Sequence, residues 1–161
     1  MTQIARLLAA NEGYAAARAN VHDPKPSRRL AILTCMDARI MPEDIFGLRS
    51  GDANVIRNAG AVASDDAIRS LIMSHHLLGA SEIIVIGHTG CGLYNLNDEA
   101  LRARLQTETG QPSATHFGSF SDLHAHVTRQ VERVQAHPWL GDVTVRGLVY
   151  EVETARVVEV V

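Results

Sequence analysis

Apolar positions along the chain follow two periods, helical and continuous, and their alternation predicts the elements. Ile4, Leu7, Leu8, Ala15 and Ala16 recur at helical spacing over residues 2 to 19, which predicts an N-terminal helix. His22 to Ser27 carries two prolines and predicts an extended linker. A helix set apart in this way has little core of its own to join and reads as an arm. Arg29 to Cys35 (RLAILTC) is an apolar run with charge before it and a polar segment after it, the pattern of a short strand buried on both faces. Pro42 to Leu48 has room only for a short helix before Gly51, and Asn54 to Arg57 reads as a second strand entering Asn58-Ala59-Gly60. Ser64 is a good N-cap, Asp65 and Asp66 complement the helix dipole, and Ile68, Leu71, Ile72, His75 and Leu78 form a stripe that stops at Gly79. Glu82 to His88 (EIIVIGH) is again continuously apolar and predicts a third strand.

Further on, Asp98 to Leu105 and Leu123 to Val134 predict helices, the second from Leu123, Val127, Val131 and Val134 ahead of Pro138. Val143 to Val152 and Arg156 to Val161 predict closing strands around a tight turn at Glu153 to Ala155. Strand, helix and buried strand in alternation indicate an α/β fold with a mainly parallel central sheet flanked by helices. There is no internal repeat or low-complexity stretch. With 161 residues, 46% of them apolar, the chain is long enough for one cored domain and short for two. The expected division is an arm and linker over 1–27 and an α/β core over 28–161.

Charge narrows the partners. A net charge of -3 and a pI near 6.2 provide no basic field for a phosphate backbone, so nucleic acid is not expected. No apolar run approaches the roughly 18 to 20 residues that span a bilayer, and Arg6, Asn11, Glu12 and Arg18 interrupt the N-terminus. No membrane association and a cytoplasmic location are therefore expected. Two cysteines in a reducing compartment point to thiols or metal ligands rather than a disulfide.

Their surroundings favour ligands. Cys35 ends the first strand and opens Cys35-Met36-Asp37-Ala38-Arg39, while His88 and Cys91 end the third strand within His88-Thr89-Gly90-Cys91-Gly92. In a parallel sheet these C-terminal strand ends share one edge, where ligands bind. A strand-end cysteine alone is more often a packed small hydrophobe. Both cysteines at strand ends, one beside Asp and Arg and the other beside His, point instead to one zinc ion on Cys35, His88 and Cys91. Three protein ligands leave the fourth tetrahedral position open to water, as in catalytic sites. Asp37 is the available fourth ligand, and Arg39 supplies a guanidinium fork able to hold it off the metal.

These segments, with Arg57-Asn58-Ala59-Gly60 between them, stand in the order and approximate spacing of the β-class carbonic anhydrases, which the chain resembles from about Arg29 to its final hairpin. The resemblance implies a central sheet of four mainly parallel strands plus an edge strand. It also implies an N-terminal helix embracing a partner subunit, in a homodimer or homotetramer. It assigns zinc to Cys35, His88 and Cys91, a catalytic dyad to Asp37 and Arg39, with Asp37 a fourth metal ligand in a resting form, and the shaping of the substrate pocket to Asn58, Ala59 and Gly60. The implied activity is reversible hydration of carbon dioxide to bicarbonate by a metal-bound hydroxide. The chain lacks an evident counterpart of the aromatic and glutamine pocket residues of plant-like members and resembles the short, archaeal-like branch, which includes carbonyl sulfide hydrolases. Carbonyl sulfide is thus the alternative substrate. A non-catalytic zinc module is a second alternative, against which the retention of Arg39 argues.

Other residues carry less. For seven of the eight histidines a surface or internally satisfied role is expected, with one of His75 and His76 packed and the other exposed, and His124 and His126 flanking an apolar stripe. Thr89 and Gly90 allow a sharp turn between ligands, Gly92 is expected to let the backbone pass close to the site, and Trp139 is expected to anchor the core or an interface.

Overall fold

The computed structural model describes residues 2–17 and 23–161. Its elements run α1 (Gln3–Ala17), β1 (Leu30–Cys35), α2 (Pro42–Phe46), β2 (Ala53–Asn58), a 3-10 turn (Ala59–Ala61), α3 (Asp65–His76), β3 (Glu82–His88), α4 (Asp98–Thr109), α5 (Leu123–Gln135), β4 (Thr144–Glu151) and β5 (Arg156–Glu159). The expected elements are all present, with α4 a turn longer than its weak periodicity suggests. Positions 18 and 19 of the N-terminal helix and His22 of the linker lie outside the described residues.

The five strands form one sheet in the order β2-β1-β3-β4-β5. Four are mutually parallel, and β5 pairs antiparallel with β4 through a tight turn. β1 and β3 are neighbours in register, Leu30 beside Glu82 through Thr34 beside Ile86. Their C-terminal ends therefore emerge side by side at about the 4.8 Å strand spacing.

Alternation along the strands divides the core between the two faces of the sheet. Ala31, Leu33, Ile83, Val85 and Val145 face one layer with Ile68 and Leu71 of α3 and Val131 and Val134 of α5. Ile32, Ile86 and Tyr150 face the other, with Ile40 and the flanking Ile45 and Phe46. Ser64 caps α3 by accepting from the Ala67 N–H, as its position predicts. Helix α5 approaches β3 and β4 closely because Gly87 and Gly147 lack side chains. A Cβ on Gly147 would lie 2.8 Å from Val127 Cγ1, and one on Gly87 2.6 Å from Val127 Cγ2.

Two surface features differ from expectation or extend it. Trp139 is 64% exposed, which excludes the first of its two expected roles, core or interface anchor; the ring stands edge-on to His137 at the surface. Helix α1 buries no residue, and Ile4, Leu7 and Leu8 are each at least 66% exposed. Among the described residues, no helix is long and apolar enough to cross a membrane.

Candidate metal centre

The sheet edge formed by β1 and β3 brings three soft or borderline donors together. Cys35 Sγ, a ring nitrogen of His88 and Cys91 Sγ all lie within 4.8 Å of one another, and all three residues are buried. Cys35 and His88 are the last residues of their strands. Cys91 follows through a turn at Gly90, whose φ of 66° favours glycine. A Cβ at Gly92, in contrast, would meet nothing within 4 Å, so the expected close passage of the backbone there does not occur.

The donor set fits a metal ion. His88 Nδ1 lies 3.0 Å from the Thr89 carbonyl; a carbonyl only accepts, so Nδ1 carries the proton and Nε2 presents a lone pair. That Nε2 is buried without a hydrogen-bond partner. An orphaned buried acceptor is costly, and a metal between it and the two sulfurs removes the cost. The thiols are unequal: Cys91 donates to Cys35, which lowers the Cys35 pKa, while that same interaction together with burial raises Cys91.

Asp37 and Arg39 form a two-pronged pair beside this cluster. Arg39 Nε donates to Asp37 Oδ1 at 2.9 Å and Nη2 to Oδ2 at 2.7 Å. The Arg39 backbone N–H adds a third bond to Oδ1, and Nη2 also donates to the Gly90 carbonyl. Arg39 holds the Asp37 carboxyl well below the usual carboxylate range. Asp37 Oδ2 stands 3.9 Å from His88 Nε2, within a short swing of the donor cluster.

Arg57 joins the two motifs, donating from Nε to the Cys35 carbonyl and from Nη2 to the Asp37 carbonyl. Beyond it, the Asn58 side chain brackets a tight loop, accepting from the Val62 N–H and donating to the Val62 carbonyl. Inside that loop Gly60 and Ala61 both have left-handed backbone, at φ 77° and 56°. Gly60 N–H points at Cys35 Sγ, 3.4 Å away.

Sequence reasoning assigned no role to two residues that act on this loop. His126 is 4% exposed, stacks on Phe120 at 4.1 Å between ring centroids, and reaches the Gly60 carbonyl with Nε2 at 2.8 Å. Gln130 accepts from the Ala63 N–H at 3.0 Å. Burial pushes the pKa of His126 below its ordinary value. The available signal was the i, i+4 spacing of His126 and Gln130, which puts two polar residues on one face beside the apolar stripe of α5. His75 and His76 divide as expected into half-buried and exposed, and their rings bond the Ala80 and Trp139 carbonyls. His124 lines a cavity of about 520 Å³ that His88, Gly90 and Tyr94 also border.

Comparison with known proteins places this geometry. A family model described as carbonic anhydrase matches residues 30–157. "Beta-carbonic anhydrase 1" of Mycobacterium tuberculosis is 38% identical over 161 residues, covering 99% of each chain. A carbon disulfide hydrolase of Acidithiobacillus thiooxidans is 36% identical over 151 residues, covering 81% of this chain and 76% of its own. Among solved structures, a carbonic anhydrase from Streptococcus mutans superposes with a TM-score of 0.95 at 34% identity, over 100% of this chain and 99% of the other. The matched span contains all three candidate metal donors together with Asp37, Arg39 and the 58–60 loop, and the chain belongs to the carbonic anhydrase family, in its β class.

Proposed function

We propose that this protein catalyses the reversible hydration of carbon dioxide to bicarbonate, with one zinc ion held by Cys35, His88 and Cys91. The observation that carries the reading is the Arg39 fork on Asp37, 2.7 and 2.9 Å long, beside a buried cluster of three donors. A purely structural site has no use for a carboxylate restrained just out of reach. Zinc bound there supplies Lewis-acid activation of water near neutral pH. Cys35 and Cys91 contribute the negative charge, and His88 is oriented by its bond to the Thr89 carbonyl. Arg39 would keep Asp37 off the fourth ligand position and leave it ionised, so that its carboxylate can accept a hydrogen bond from the attacking water and orient it. Asn58 commits its amide to Val62, so the part assigned to Asn58, Ala59 and Gly60 in shaping a substrate pocket falls to their backbone rather than to the Asn58 side chain.

End-to-end similarity to a β-carbonic anhydrase supports carbon dioxide as the substrate. Similarity to carbon disulfide hydrolases supports a second reading, hydrolysis of carbonyl sulfide or carbon disulfide, linear molecules open to the same attack at carbon. The exposed apolar stripe of α1 fits a homodimer or homotetramer in which the arm packs on a partner subunit. Thiols serving as metal ligands fit a cytoplasmic location.

Stopped-flow hydration of carbon dioxide by zinc-loaded protein at mildly alkaline pH, run beside sulfide release from carbonyl sulfide and carbon disulfide, tests the assignment. Rapid zinc-dependent hydration supports the first reading. Sulfide release with hydration at the buffer rate transfers the assignment to the second. A zinc-loaded protein silent in all three assays leaves the metal as a structural element and refutes both.

A further inference from the structure

The donor cluster is steadied from a distance by helix α5. Cys35 Sγ receives the Gly60 N–H at 3.4 Å, and whether that N–H points at sulfur depends on the torsions of a loop in which Gly60 and Ala61 are both left-handed. Nothing in the covalent chain prefers such a conformation at Ala61. Contacts hold it. Asn58 closes the loop on itself through Val62, and α5 grips it at two points one helical turn apart. His126 Nε2 bonds the Gly60 carbonyl at 2.8 Å; Gln130 Oε1 accepts from Ala63 N–H at 3.0 Å. Because a carbonyl only accepts, His126 is the Nε2–H tautomer. Its ring cannot drift, being 4% exposed and stacked on Phe120.

We infer that His126 is a positioning residue for the metal centre: by holding the Gly60 carbonyl it keeps the Gly60 N–H on Cys35 Sγ, and so sets the electron density that this sulfur offers a bound metal. The inference rests on the reading of Cys35 as a metal ligand. An N–H donated to a thiolate stabilises the sulfur lone pairs. Removing it leaves a more electron-rich sulfur and loosens the loop that positions it, so both the charge-transfer energy and the fit of the donor cluster to a metal change. Groups that orient metal ligands in this way change metal affinity by about 10- to 100-fold when lost.

The test compares wild type with His126→Phe, which keeps a stacking ring but cannot donate, and His126→Gln, whose amide can donate near the position of Nε2. Each protein is checked for folding by circular dichroism, then loaded with Co²⁺ to read the sulfur-to-cobalt charge-transfer band, and with Zn²⁺ against a chelator to read affinity. The expected result is a red-shifted band and at least about tenfold weaker zinc binding in H126F, with both restored toward wild type in H126Q. A band in H126F at the wild-type energy would overturn the inference, whatever happens to affinity or thermal stability, because a merely structural role does not alter sulfur donation. A shift that H126Q fails to reverse would overturn it as well. The proposed function fails separately, if wild type neither binds zinc nor hydrates carbon dioxide.

Discussion

Replacing Gly60 by Ala tests the loop that lies against Cys35, and its cost can be worked from the structure. Gly60 sits at φ 77°, and an added Cβ would fall 2.6 Å from Leu93 Cδ1. Holding an L-residue in left-handed backbone costs about 1 to 2 kcal/mol. Relieving the clash costs about 1 to 2 kcal/mol more, the lower part of the overpacking range, because the obstructing atom is the end of a side chain. That end is not wholly free, since Leu93 packs against Cys35, Cys91 and Phe120. The sum, about 2 to 4 kcal/mol, corresponds to a fall in Tm of about 4 to 16 °C for a chain of this size. Gly92 is the matched control: it also neighbours a candidate ligand, it is exposed, and a Cβ there meets nothing within 4 Å. Gly92→Ala should stay within about 0.5 kcal/mol of wild type. The assay is scanning calorimetry of zinc-loaded proteins at one protein concentration and one zinc activity, since ligand and assembly both shift Tm. A G60A protein melting with wild type, or a G92A protein falling as far as G60A, would refute the account of the loop.

Four further outcomes follow from the site and the arm. Arg39→Ala should lower carbon dioxide turnover by about 10²- to 10³-fold with zinc retained stoichiometrically, because Asp37 is then free to occupy the fourth position; stopped-flow rates with metal analysis check this, and full activity would remove the dyad. Arg39→Lys should restore little, since an ammonium cannot reproduce the fork to both Asp37 oxygens. In chelator-stripped protein near pH 6, alkylation followed by peptide mapping should modify Cys35 before Cys91, since the bond from Cys91 lowers one thiol and raises the other and the thiolate is the nucleophile. Equal rates at the two sites would contradict that asymmetry, and zinc should protect both. Leu8→Glu, in the exposed stripe of α1, should yield monomers by light scattering from an assembled wild type; a monomeric wild type would contradict the proposed assembly.

Much of this architecture is legible in the order of residues because its causes are local or periodic. The runs at 29–35 and 82–88 are short and continuously apolar between polar ends, which suits buried strands, and Ser64 with Asp65 and Asp66 marks a helix start by chemistry confined to one turn. The convergence of Cys35 with His88 and Cys91 follows from one further rule, that parallel strands deliver their C-terminal ends to a common edge. Trp139 shows where such reasoning stops: a lone tryptophan beside a proline looks like an anchor, yet whether its ring meets core or surface depends on the path of the chain after α5. Gly92 shows the same limit, because a glycine beside a ligand looks functional while only the space around its Cα decides whether a side chain is excluded.

His126 is the most instructive case, because what it does is defined entirely by a partner 66 residues away in sequence. As a letter in α5 it is one histidine of eight, two positions from another that lies nearer the surface. Burial in a mainly apolar layer requires its ring N–H to find an acceptor, and the acceptor within reach is the carbonyl of the residue whose N–H faces Cys35. A polar residue placed beside a core stripe therefore does more than tolerate burial: the cost of leaving its N–H unsatisfied, about 1 to 3 kcal/mol, holds the Gly60 carbonyl in place. The same energy that makes His126 hard to bury makes the loop beside the candidate metal centre hard to move.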